Sequence, residues 1–134
     1  MNKIELFDLP IDDGNLEETV EEILDRIQRD EVIEHVGVNS NKVVLSRRNA
    51  KIREIIQQAD MVSADGYSVV RACHWLKKKK IDRVTGIDTM RQERRTQNRA
   101  GGNVVSELAS LVKPQKTAEE NFTVELLVFK YECG

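Results

Sequence analysis

Between residues 32 and 76 the chain twice repeats one order: a strand-length apolar run, a short polar turn, then helical spacing. Residues 32–38 hold three valines and an isoleucine interleaved with Glu34 and His35, and open into Asn39, Ser40 and Asn41. Val43, Val44 and Leu45 predict one or two helical turns, and residues 50–59 a second helix with Ile52, Ile55 and Ile56 inward. Residues 61–63 are again strand-like. After Ala64, Asp65 and Gly66, the stripe Val69, Val70, Ala72, Cys73 and Leu76 predicts another buried-face helix. Strands that alternate with helices need crossover connections, so the expected fold is α/β, a Rossmann-like, mainly parallel sheet flanked by helices.

The flanking segments fit that frame. Residues 4–7 suit a strand, with Pro10, Asp12, Asp13 and Gly14 as the turn that ends it. Leu16, Val20, Ile23, Leu24 and Ile27 form an amphipathic stripe, capped by Asp13 or Asn15, with glutamates at 17, 18, 21 and 22 favoured by the helix dipole. Residues 81–84 suit an edge strand or extended segment before Thr85, Gly86 and Asp88.

At 134 residues the chain is expected to build one core. Charged residues at 33% and apolar ones at 40% exclude a disordered chain, and no apolar run reaches the ~18 residues that cross a bilayer. Acidic residues among the first ten exclude a secretory signal, which makes the expected location cytoplasmic. Cys73 and Cys133 have no metal-ligand spacing, so neither a zinc site nor a disulfide framework is expected. Charge is unevenly spread: residues 1–34 carry three basic and twelve acidic side chains, residues 77–99 nine basic and three acidic. The basic segment suits an anionic partner or a solvated face. With only Trp75 nearby there is no aromatic platform, and nucleic acid is not an expected partner.

Three positions carry candidate chemistry. Asp65 and Gly66 stand where a strand yields to a helix, a place where backbone amides favour a phosphate, although aspartate there also suits a plain helix cap. Asn39 occupies the equivalent turn after the previous strand, with an amide that caps a helix or binds a sugar or base. His35 suits a structural role better than a general base.

Taken in order, VGVNSNKVVLSRR, SADGYSVVRA and RVTGIDTM, with the opening LFDLPIDDGNLEETVEEI, resemble the WecG/TagA/CpsF family, glycosyltransferase family 26. The resemblance implies inverting transfer of N-acetylmannosamine or a related hexosamine from a UDP-sugar to an undecaprenyl-diphosphate-linked acceptor, in cell-surface polysaccharide or teichoic acid synthesis, without an obligatory metal or other cofactor. It implies Asp65 as the base that takes the acceptor proton, and Asn39 as a pocket residue. Gly66 belongs to the same turn, Arg83 is implied to steady a diphosphate, and Asp88 is assigned to the turn before any chemistry. Where members often carry threonine two residues before the asparagine, this chain has Gly37.

The resemblance covers residues 3 to about 90, so residues 1–90 are expected to be the N-terminal part of the transferase domain and 91–134 a divergent segment completing or appended to it. Residues 91–99 hold four arginines and no aliphatic side chain, a poor buried face for the amphipathic helix expected there. Residues 104–112 suit a short helix ending before Pro114, and 124–129 a strand. The family's donor-binding half and its basic, membrane-associating tail are missing from this pattern. The fold is therefore expected to be truncated, with an exposed sheet edge that favours a homo-oligomer. Two functions follow: a transferase of this type, or a non-catalytic, anion-binding derivative of one.

Overall fold

The computed structural model describes residues 1–100, 104–110 and 127–133. The chain opens with a hairpin, β1 (Lys3–Leu6) and β2 (Leu9–Asp12), followed by α1 (Leu16–Gln28). Next come β3 (Ile33–Val38), α2 (Ser40–Arg48), α3 (Ala50–Gln58), β4 (Met61–Ala64) and α4 (Tyr67–Lys77). The described remainder is α5 (Gly86–Ala100), β5 (Val104–Ser110) and β6 (Leu127–Cys133).

The sheet order is β4-β3-β6-β5. β3 and β4 are parallel, joined by α2 and α3, whereas β6 pairs antiparallel with both β3 and β5. The α/β, Rossmann-like class stands, with a mixed sheet built on one parallel pair. Alternation along β3 and β4 divides the core in two. Val36, Val38, Val62 and Ala64 pack with the hairpin, α3 and α4, while Ile33 and Met61 pack with Ile23 and Ile27 of α1, Phe129 and Tyr131 of β6, and Met90 of α5.

Local chemistry sets the element ends. Asn15 caps α1 through a reciprocal pair, its Oδ1 accepting from Glu18 N at 2.9 Å and its own N–H donating to Glu18 Oε1. Asn49 closes α2 and caps α3, its Oδ1 accepting from the amides of Lys51 and Ile52. Gly86 begins α5 against Phe129, and a Cβ there would lie 2.6 Å from two ring carbons.

Four sequence expectations are corrected. Residues 10–12 belong to a strand, because the turn is Phe7 and Asp8, both with positive φ (52° and 63°), in a two-residue loop of the hairpin type. The arginine-rich stretch is helical: α5 buries the polar Thr89 and Glu93 beside Met90, so its inner face does not depend on aliphatic residues after 90. Residues 104–110 form a strand, because β6 supplies a full antiparallel partner from Val104↔Cys133 to Ser110↔Leu127. Leu76, which the helical stripe places inward, is 60% exposed in the last turn of α4. The expected helix end before Pro114 and the strand residues 124–126 lie outside the described residues.

Asp12 ties the hairpin to the sheet. Its buried carboxylate accepts from Val62 N at 2.7 Å and from Lys3 Nζ at 2.9 Å, covering the outer side of β4, where Val84 N also donates to Ala64 O. Removing an acceptor from a buried amide leaves the amide desolvated and unpaired. Asp12→Ala is therefore expected to lower unfolding free energy by about 2–3 kcal/mol in urea titrations. Lys3→Met, which removes only a half-exposed ammonium, is expected to cost less than ~1 kcal/mol.

Candidate active site

Because β3 and β4 are parallel and paired through Val38↔Ala64, the residues that follow them emerge at one end of the sheet. Those residues are Asn39 and Asp65, and the ladder runs one step further as Asp65 N donates to Val38 O at 2.9 Å. The carboxyl ends of parallel strands are where open α/β sheets bind ligands, since helix N-termini and loops converge there.

Asp65 does not cap α4. The cap is Gly66, which has no side chain to offer, so the first amides of α4 meet no capping group there. The Asp65 carboxylate is partly exposed and forms no hydrogen bond or ion pair among the described residues. The plain capping explanation for this aspartate is thereby removed.

Asn39 does cap α2, its Oδ1 accepting from Lys42 N at 3.0 Å. Its amide nitrogen stays unspent among the described residues. Gly66 brings the two turns together: a Cβ on it would lie 3.3 Å from Asn39 Cβ. Arg83 reaches the same place from the segment after α4, its Nε donating to Asp65 O at 2.7 Å while the guanidinium lies 5.0 Å over the Tyr67 ring. Among the described residues neither of its terminal nitrogens has a hydrogen-bond partner, which leaves them open to an anion.

Asp88 shares no hydrogen bond or ion pair with this group among the described residues. Its N–H donates to Thr85 Oγ1 at 3.0 Å in the first turn of α5, and its exposed carboxylate has no hydrogen bond among the described residues. There it complements the helix dipole. The structure thus brings together Asn39, Asp65, Gly66 and Arg83, and leaves Asp88 on its helix.

Sequence reading missed Lys42. Its Nζ donates to Gly37 O at 2.6 Å, and burial lowers its pKa while the charge of Asp65 pulls it back up. A lysine in the first turn of a helix opposes the dipole, a signal visible in sequence. Gly37 lies directly beneath Asp65: a Cβ there would come within 3.0 Å of Asp65 Cβ and 3.2 Å of its Oδ2. A threonine at this position would crowd the carboxylate.

Below the site, on the same sheet face, His35 is fully buried. Ser63 Oγ donates to Val84 O at 2.8 Å, so its oxygen accepts from His35 Nε2, also at 2.8 Å, which fixes the Nε2–H tautomer. His35 Nδ1 has no partner among the described residues. Burial, assisted by the charge of Lys42, pushes the imidazole pKa down to about 4. His35 is a neutral strut that links β3, through Ser63, to the segment carrying Arg83.

An open polar concavity of about 700 Å³ lies elsewhere, lined by Lys3, Glu5, Asp8, Pro10, Arg53 and Gln57. It contains none of the residues around Asp65. Among the described residues no group of histidine, cysteine, aspartate and glutamate could hold a metal ion, and no helix is long and apolar enough to cross a membrane.

A family model described as the glycosyl transferase WecG/TagA/CpsF family matches residues 4–107, and the chain belongs to that family. Such an enzyme class works with a sugar donor and an acceptor. Comparison with curated proteins gives no significant match.

The buried histidine makes stability pH-dependent with a definite sign. Unfolded, His35 takes a proton near its ordinary value of 6.5; folded, it resists until about 4. The unfolded state therefore binds more protons in that window, and the contribution present above pH 6.5 is lost as pH falls toward 4. Unfolding free energy is expected to drop by about 2 kcal/mol from this residue between pH 7.5 and 5. In His35→Gln that part of the slope should vanish when urea midpoints are compared across the same range.

Proposed function

We propose that the chain is a glycosyltransferase of the N-acetylmannosaminyltransferase type. It would transfer a hexosamine from a UDP-sugar, with inversion, to an undecaprenyl-diphosphate-linked acceptor during cell-surface polysaccharide or teichoic acid synthesis. The observation that carries this reading is the Asp65 carboxylate, which among the described residues neither caps a helix nor forms an ion pair, at the ends of two parallel strands in a chain of this family.

The chemistry follows from that placement. The acceptor hydroxyl donates to Asp65, its oxygen attacks the anomeric carbon from the face opposite the nucleotide, and the bond from that carbon to the diphosphate breaks. UDP leaves with the electron pair, and Asp65 holds the proton. Arg83 and Lys42 bring positive charge to the same end of the sheet, which suits a diphosphate. The Asn39 amide nitrogen and the open amides of α4 supply donors for sugar hydroxyls or phosphate oxygens. The site would face the cytoplasmic side of the membrane, where a nucleotide sugar and a lipid-linked acceptor meet.

Asp65→Asn keeps size and polarity but cannot accept the proton. Transfer from UDP-N-acetylmannosamine, followed by product formation on a lipid-diphosphate acceptor analogue, is expected to fall about 10²–10⁴-fold with the thermal melt unchanged. An Asp65→Asn enzyme as fast as wild type would remove Asp65 from the base role. If the wild-type chain binds no donor at millimolar concentration by NMR, the transferase reading fails while the family relationship stands.

A further inference from the structure

We propose that Tyr67 is a positioning residue of the site: its ring fixes the Arg83 guanidinium in the orientation that receives the donor's diphosphate. This deepens the transferase reading and rests on it for the identity of the anion, but not for the contact between ring and guanidinium.

Tyr67 is the first residue of α4, directly after Asp65 and Gly66, and is 64% exposed. Val69 and Cys73 supply the buried contacts of that helix, so the core does not explain the ring's place. Arg83 meets it from the segment after α4, its guanidinium carbon 5.0 Å from the ring centroid. At that distance the face of an aromatic ring attracts a cation. On its other side Arg83 is tied by Nε, which donates to Asp65 O at 2.7 Å. A single hydrogen bond at Nε leaves the guanidinium plane free to swing about it, and a ring against that plane removes the swing. The terminal nitrogens, without a hydrogen-bond partner among the described residues, then present a fixed fork.

Charge supports the same reading. The guanidinium lies beside the first turn of α4, where the helix dipole repels a cation. Among the described residues no carboxylate forms an ion pair with it. A cation is thus held in place without a protein anion to neutralise it, and a diphosphate suits a planar, bidentate donor. The alternative is that ring and arginine merely fasten the segment after α4. That segment has other ties: Val84 N donates to Ala64 O, Val84 O accepts from Ser63 Oγ, and Ile81 and Val84 are buried. Arg83 is not needed to hold it down.

Tyr67→Phe keeps the ring and Tyr67→Leu removes it, which separates the ring's role from that of its hydroxyl. In the isotope-labelled full chain, the Arg83 Nε–H resonance is assigned by its loss in Arg83→Gln. It is expected upfield under the ring current, with that shift kept in Tyr67→Phe and lost in Tyr67→Leu. UDP binding, measured by calorimetry, should weaken about two- to fivefold in Tyr67→Leu, the range an exposed contact between cation and ring corresponds to. Tyr67→Phe should bind UDP as the wild type does. In an Arg83→Gln background Tyr67→Leu should weaken UDP binding no further, because the two side chains act as one unit. Thermal melts of both Tyr67 variants should match wild type, since the ring is largely exposed. The proposal is overturned if the Arg83 resonance is the same in wild type and Tyr67→Leu, or if Tyr67→Leu weakens UDP binding equally in both backgrounds. Equally, Tyr67→Phe binding UDP as poorly as Tyr67→Leu would overturn it. A wild-type chain that binds no UDP overturns the transferase reading and the diphosphate as occupant, while the Arg83 resonance separately decides whether Tyr67 fixes the guanidinium.

Discussion

Parallel pairing of β3 with β4, from His35↔Met61 to Val38↔Ala64, is the constraint on which the rest of the chain depends. It sends both strands out at one end of the sheet, so Asn39 and Asp65 become neighbours although 26 positions separate them in sequence. The same register sorts side chains onto two faces. Valines 36, 38 and 62 make one core, while His35, Gly37 and Ser63 line the other face beneath the site. A slip of one residue would exchange those faces and bury the polar set against the hairpin.

That register is held by polar contacts as much as by apolar packing. The Asp12 carboxylate occupies the outer side of β4, and the link from His35 through Ser63 to Val84 O joins β3, β4 and the segment leading to Arg83. Arg83 then closes onto Asp65 O. The arginine's position is thus set from beneath by a neutral histidine whose protonation would bring charge into a dry interior. Gly37 contributes by absence, since any side chain there would press on Asp65.

Much of this was legible in sequence because the responsible forces are local. Asn15, Asn39 and Asn49 cap helices through contacts within three residues, and the valine-rich run at 32–38 extends because branched side chains fit a pleated surface. Other features had no local signal. The hairpin turn at Phe7 and Asp8 lacks the asparagine and glycine that usually accompany positive φ there. The arginine-rich helix α5 finds its inner contacts in polar Thr89 and Glu93, which a count of aliphatic residues cannot register. Leu76 has the spacing of a core residue, yet the core ends before it.

By itself, the sequence determined the alternation of strands and helices, the helix caps and the placement of Asn39 and Asp65 at strand ends, because these arise from periodicity and short-range hydrogen bonding. Only the tertiary structure decided which turns meet. It seats β6 antiparallel between β3 and β5, releases Asp65 from capping because Gly66 takes that position, and brings Lys42 and Arg83 to the same aspartate while leaving Asp88 on α5. Those outcomes depend on which edges and faces pack together, and packing between residues far apart in the chain has no periodic trace along it.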